Sequence, residues 1–463
     1  MNRRKFINKA ATIGTSFAAG YAAHAFFSEK GLSTILGEEW RNDRKVNPID
    51  LQNLPSDEEV LSKAIANIDT IRKSSVVLKL VTKNGEPISH QKLKLVQTNH
   101  LMDWGYAFGP TNAGLADPKT KKRATHIADL FNCVTAKCYW NERWHQPIEK
   151  HQGIRIYDLF KQEVEWGIQN GMRVKGHPLV WTVEKAIPKW VFNYPYDQQL
   201  DFLKSHVQSL MEAVGEQVSR WDLCNEMLWE PAFKNIALRE WPHIDPIEDI
   251  ADYIAMALNW AKEINPNALY SLNDYGLVHT FVKQISALEQ RNRYLQLIDA
   301  LRKRNALPDA VGCQAHIGGK FSLGAFQKCI DHLAESQLPV QITEFWSKDK
   351  DFPASLSPKQ REEEMAKYIG NIYTLAFAHP NINHFTFWGN EQLFTKEGNP
   401  RKPYEVLHQL IKDQWTTNIQ LETDQEGFVR FSGFRGTYSL QIADQETSID
   451  IHNDTDQSIQ FEN

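Results

Sequence analysis

The sequence predicts an α/β fold: a (β/α)8 TIM barrel carrying a small β-sandwich module formed by its N- and C-terminal segments. Two observations lead there. Between residues 101 and 413, short apolar runs alternate with longer helical patterns, and the alternation repeats eight times, as repeated β/α units require. The flanking stretches, 74–100 and 414–463, instead show the alternation of half-buried strands. Eight strands in roughly 310 residues suit a closed barrel in number and size, although an open doubly wound sheet shares the same local pattern.

The elements follow in chain order. Met1-Asn2-Arg3-Arg4-Lys5-Phe6 opens a basic start, followed by a mildly apolar stretch to Phe27 with Ala23-His24-Ala25 as a cleavage-like triplet. Residues 1–25 therefore resemble a twin-arginine export signal, and a periplasmic or extracellular location is expected. A polar linker comes next, within a 26–73 segment that ends in a helix. Ser56-Asp57-Glu58-Glu59 supplies an N-cap and acidic first turn for that helix, which is expected to reach about Ile71. Val76–Val81, the Asn84-Gly85 turn and Lys92–Val96 read as a hairpin. The barrel strands are expected at 104–109, 132–137, 173–178, 219–225, 269–274, 310–315, 339–343 and 382–388. In the tail, Phe428–Phe431, a turn at Gly433–Gly436 and Tyr438–Ile442 read as part of four or so short strands. A lone hairpin is too small to be stable, so the tail is expected to pack with 74–100.

Composition narrows the function. With 42% hydrophobic and 24% charged residues among 463, the chain can bury a large core. A formal net charge of −5 and a pI near 6.4 leave no basic stripe for phosphates. No apolar run long enough to span a bilayer follows the N-terminal segment. Neither nucleic acid nor a membrane span in the mature protein is expected, and a monomer is. Five cysteines without a C-x-x-C pair indicate buried thiols rather than a disulfide framework or zinc ribbon. No metal or cofactor is expected. The 14 Trp and 14 Tyr suit packing in the core and also stacking on sugar faces.

Barrel enzymes gather reactive groups where strands end, because the loops there converge on one face. The fourth strand ends Trp221-Asp222-Leu223-Cys224-Asn225-Glu226, and the seventh ends Gln341-Ile342-Thr343-Glu344. A carboxylate at the end of an apolar strand is costly to desolvate unless it is used or paired. Two of them facing across a barrel mouth suit glycosidic cleavage, in which one carboxyl protonates the leaving oxygen and the other attacks the anomeric carbon or activates water. Glu226, beside Asn225, suits the acid. Glu344 suits the nucleophile, with His316 as a donor toward it.

Taken together, these segments resemble glycoside hydrolase family 10, the xylanase family, over roughly residues 75–413. Trp221-Asp222-x-x-Asn225-Glu226 is similar to the family's acid/base segment and Ile342-Thr343-Glu344 to its nucleophile segment, which implies retention through a covalent glycosyl-enzyme. Gly176-His177-Pro178-Leu179-Val180-Trp181 resembles the third-strand motif, whose His and Trp contact the cleaved sugar. Asn273-Asp274-Tyr275, Gln314-x-His316 and Phe387-Trp388-Gly389 resemble the fifth-, sixth- and eighth-strand motifs. The resemblance thus implies substrate contacts at His177, Trp181, Asn225, Tyr275, Gln314, His316 and Trp388. The second-strand segment departs from the pattern. Where the family commonly reads Thr-Pro-Glu-Asn-x-x-Lys, with polar residues gripping the next sugar, this chain has Thr135-Ala136-Lys137-Cys138-Tyr139-Trp140-Asn141. Lys137 and Asn141 are the substrate-binding candidates there, while Tyr139 and Trp140 either form a replacement subsite or cover the barrel. Thr182 stands where a His usually follows the Trp, and the eighth loop runs to Gln392-Leu393-Phe394 without the family's Asp-x-x-Ser-Trp. The resemblance implies an endo-β-1,4-xylanase-like enzyme acting on a plant or algal polysaccharide. The alternatives are a family member cutting a different β-glycan or acting as an exo-glycosidase, and a carbohydrate-binding barrel without turnover.

Overall fold

The computed structural model describes residues 54–142, 146–237, 241–281, 285–316 and 319–461. The candidate export signal and most of the linker lie outside them.

Chain order explains the architecture. Ser56 caps the helix Asp57–Arg72 by accepting from the Glu59 N–H, and Val60, Ala64 and Ile68 form its buried stripe. At its end Arg72 donates to the carbonyls of Ala376, Phe377, His379 and Ile382, which fastens the helix to the barrel. Two long strands follow, β1 (Lys73–Thr82) and β2 (Lys92–His100).

The barrel comprises β3 (Asp103–Ala107), β4 (Cys133–Lys137), β5 (Arg173–His177), β7 (Arg220–Asn225), β8 (Leu269–Asp274), β9 (Ala310–Cys313), β10 (Val340–Phe345) and β11 (Ile382–Phe387), with the two-residue strand β6 (Val180–Trp181) laid on β7. All pair in parallel in sequential order, and pairing of β5 with β7 and of β11 with β3 leaves no open edge. The doubly wound alternative is thereby excluded. Helices capped by serine cover the outside, among them Ala287–Lys303 and Pro358–Phe377, each with a capping box. Gly176 lets β5 approach β7, since a Cβ there would meet the Trp221 ring at 2.3 Å.

The terminal strands form two sheets, β13-β1-β16 and β12-β2-β14-β15, where β12 is Asn418–Glu422, β13 Phe428–Phe434, β14 Gly436–Ile442, β15 Gln445–Ile451 and β16 Thr455–Phe461. The expected hairpin of β1 with β2 does not form, because the two strands belong to different sheets. Val76, Leu78 and Leu80 of β1 and Leu93 and Leu95 of β2 share one buried cluster with Tyr438, Leu440 and Ile451. Side chains alternate along a strand, so each strand turns one apolar row toward the other sheet. That burial outweighs the pull of the Asn84-Gly85 turn, which folds the end of β1 back only onto Glu86–Ile88, with the Thr82 N–H on Glu86 O and the Ile88 N–H on Leu80 O.

Candidate active site

The barrel interior is polar along its axis. On β5, Arg173, Lys175 and His177 occupy alternate positions, and each meets an acid from another strand. At the N-terminal end, Asp103 is gripped by Arg173 and Arg220, with His384 Nδ1 at 3.2 Å. One step up, Lys175 Nζ lies 2.7 Å from Asp222 Oδ1 and 3.1 Å from Gln341 Oε1, and Ser271 Oγ donates to the same Asp222 oxygen at 2.9 Å. Burial by itself would raise the Asp222 carboxyl, but Lys175 and His177 hold it well below the usual range. At the top, His177 Nδ1 donates to Asp222 Oδ2 at 2.8 Å, so the imidazole is oriented from beneath.

The two candidate carboxylates sit on this column. Glu226 takes the residue after β7 with a left-handed φ of 59°, a conformation that costs a non-glycine residue roughly 1–3 kcal/mol and is found where structure over-determines it. Its N–H is tied to Asn273 O at 2.7 Å. Its carboxylate accepts from Trp181 Nε1 at 2.9 Å and from Gln314 Nε2 at 3.3 Å. Asp274 fixes the loop beyond, accepting from the Leu228 and Tyr275 N–H groups. Phe108 and Ala315, just past β3 and β9, share the left-handed backbone.

Glu344 ends β10. Asn273 Nδ2 links Glu344 to the residue before Glu226 by donating to Glu344 Oε1 at 2.8 Å and to Asn225 Oδ1 at 2.9 Å, and Thr343 Oγ1 holds the Asn273 oxygen. His316 Nε2 stands 3.1 Å from Glu344 Oε2. Burial first, and then the negative charge of Glu344, raise the Glu226 pKa above its ordinary value. Two carboxyls in different surroundings, one of them biased toward the protonated form, are the arrangement that acid and base roles require.

The remaining sequence candidates divide. His177 meets Trp388 edge-on with ring centroids 5.4 Å apart, and Trp388 also meets Phe108. Tyr275 stacks on Trp229 at 5.4 Å and packs beside Phe281. These line the mouth around the carboxylates. Lys137 and Asn141 are engaged within the protein: Lys137 Nζ pairs with Glu163 at 2.8 Å, and Asn141 Nδ2 donates to the carbonyl of Lys185 at 2.9 Å. Sequence reading assigned no role to Asn273, Asp222 or Lys175. The signal available was the alternation Arg173-x-Lys175-x-His177 in a strand that a purely structural barrel would fill with aliphatic side chains.

Among the described residues, one group has metal-ligand character, Asp103, Cys133 and His384. Two arginines already neutralise Asp103, and burial pushes the Cys133 thiol up to about 12. That chemistry disfavours a cation, which takes thiolate rather than thiol. No described helix is long and apolar enough to cross a membrane.

Comparisons with known proteins agree with the barrel fold. An anti-sigma-I factor of Acetivibrio thermocellus is 27% identical over 405 residues, covering 82% of this chain and 46% of that protein. Endo-1,4-beta-xylanase B of Thermotoga neapolitana is 26% identical over 304 residues, covering 61% and 82%. Endo-1,4-beta-xylanase 2 of Arabidopsis thaliana is 23% identical, covering 84% and 34%, so the chain spans less than half of two of these relatives. The solved xylanase 10B of Thermotoga petrophila, crystallised with xylobiose, superposes with a TM-score of 0.55 at 22% identity, over 68% of this chain and 94% of that one, and shares the fold. The sequence model of glycosyl hydrolase family 10 matches residues 95–402, a stretch that holds all eight barrel strands, and the chain belongs to that family.

Proposed function

We propose that the chain is an exported retaining β-1,4-glycanase that cuts xylan or a substituted xylan, with Glu226 as acid/base and Glu344 as nucleophile. The observation that carries the reading is the Asn273 bridge, which fixes Glu344 and the Asn225 next to Glu226 in one hydrogen-bonded frame across the mouth. In the first step Glu226 gives its proton to the glycosidic oxygen as that bond breaks, and a Glu344 oxygen bonds to the anomeric carbon. In the second, Glu226, now ionised, takes a proton from water, whose oxygen displaces Glu344 and restores the anomeric configuration. Asn225, whose amide oxygen accepts from Asn273 and Gln314, meets the sugar 2-hydroxyl in this reading, a contact that strengthens in the transition state.

The internal engagement of Lys137 and Asn141 supports a second reading, a family member acting on a related β-glycan. A panel of aryl β-xylobioside, aryl β-cellobioside and polysaccharides separates the two. Incubation with 2-deoxy-2-fluoro aryl glycosides should leave a covalent adduct on the peptide containing Glu344. Glycan binding with neither turnover nor adduct would instead indicate a binding barrel. Export is tested by replacing Arg3 and Arg4 with lysine, which should retain the protein in the cytoplasm; unchanged export would rule the twin-arginine route out.

A further inference from the structure

The loop after β4 brings a new group to the mouth. Lys137 is committed to Glu163 and lies over the Phe108 ring, Cys138 is fully buried, and the Asn141 amide is spent on backbone carbonyls. Tyr139 is wedged among the residues around the carboxylates and is 7% exposed. Its ring stands edge-on to His177 with centroids 5.8 Å apart and lies 5.6 Å from Trp181. Both neighbours are tied to the chemistry, His177 through Asp222 and Trp181 through its bond to Glu226.

We infer that Tyr139 is a substrate-contacting residue whose phenol hydrogen-bonds a ring hydroxyl of the sugar attacked by Glu344. The inference rests on the retaining reading of Glu226 and Glu344. Burial first, and then the charge of Glu344, ahead of Glu142, Cys138 and Glu226, raise the phenol well above its ordinary value, so it remains an O–H throughout catalysis. His177, held by Asp222, and Trp181, bonded to Glu226, flank the ring and set it beside the carboxylates. A ring held by two aromatic neighbours loses little freedom on binding. A sugar hydroxyl left unpaired in such a dry pocket is strongly disfavoured, so Tyr139 discriminates between sugars by where their hydroxyls point.

The test compares the full chain with Tyr139→Phe on aryl glycosides bearing one and two glycone sugars, together with a series of singly deoxygenated glycones. Tyr139→Phe should lose roughly 10- to 100-fold in kcat/KM on both glycosides at an unchanged thermal midpoint. One deoxy position should cost the wild type and not the variant, a coupling that a purely structural tyrosine would not produce. An active wild type with a Tyr139→Phe variant inside twofold on both glycosides, or coupled to no deoxy position, overturns the inference. A loss confined to the two-sugar substrate also overturns it, by moving the contact to the next sugar. If wild type turns over no glycoside, the retaining reading falls and this inference with it.

Discussion

Glu226 and Glu344 differ in chemistry because they differ in surroundings. Glu226 is buried under a tryptophan N–H and a glutamine amide and faces a second negative charge, which favours its protonated form. Glu226→Ala should therefore cost about 10²- to 10⁴-fold on substrates with poor leaving groups and little on activated aryl glycosides, measured as kcat/KM; equal losses on both would reject the acid role. In the proposed acid role the protonated form of Glu226 is the active one, so kcat/KM should fall as pH rises through its pKa. One cause of the elevation is the charge of Glu344, so Glu344→Gln should lower the pH at which Glu226 titrates, followed by carboxyl NMR. An unmoved titration would show that burial alone sets it. The acidic strand ends were legible in the sequence because a carboxylate after an apolar run is conspicuous. Asn273 was not, since nothing in its local sequence reveals that one amide will touch residues from two other strands.

At the scale of elements, β5 decides how the site is supported. Its alternating Arg173, Lys175 and His177 put hydrogen-bond donors on the barrel axis, where Asp103 and Asp222 answer them. Strand positions were legible from hydrophobic runs and agree with the structure to within a residue or two at most ends. The partners of the polar residues were not, because they lie about 45 to 280 residues away. Lys175 is 2% exposed, so Lys175→Met leaves Asp222 without its ammonium. The expected loss is about 3–5 kcal/mol by chemical denaturation, and Lys175→Met with Asp222→Asn should regain much of it by removing the stranded charge. If the double variant is no more stable than the single, the column is not coupled as described. The misread hairpin belongs to this scale too: a turn signal constrains a few residues, whereas choice of sheet is set by which apolar row finds cover.

Across the whole molecule the buried ion pairs tie stability to pH. Burial opposes ionisation of Asp103 and Asp222, but Arg173, His384 and Arg220 around the first and Lys175 and His177 around the second hold both well below the ordinary carboxylate range. A depressed folded-state pKa contributes stability that is complete above the unfolded value of about 3.9 and is lost as pH falls through the folded value. The thermal midpoint should accordingly drop steeply below about pH 4; a midpoint unchanged down to about pH 2 would show that these carboxylates are not held ionised by folding. The sequence by itself determined the number and order of the barrel strands, the two strand-end carboxylates and the family motifs around them, because each is written in a short contiguous run whose period or chemistry is local. Only the tertiary structure decided that β1 and β2 part into separate sheets, that Asn273 bridges to Glu344 and to the Asn225 beside Glu226, and that Lys137 and Asn141 are engaged within the protein while Tyr139 packs at the mouth. Those outcomes depend on which distant side chain supplies the hydrogen bond or the cover that burial demands, and closure of the barrel is what brings such partners within reach.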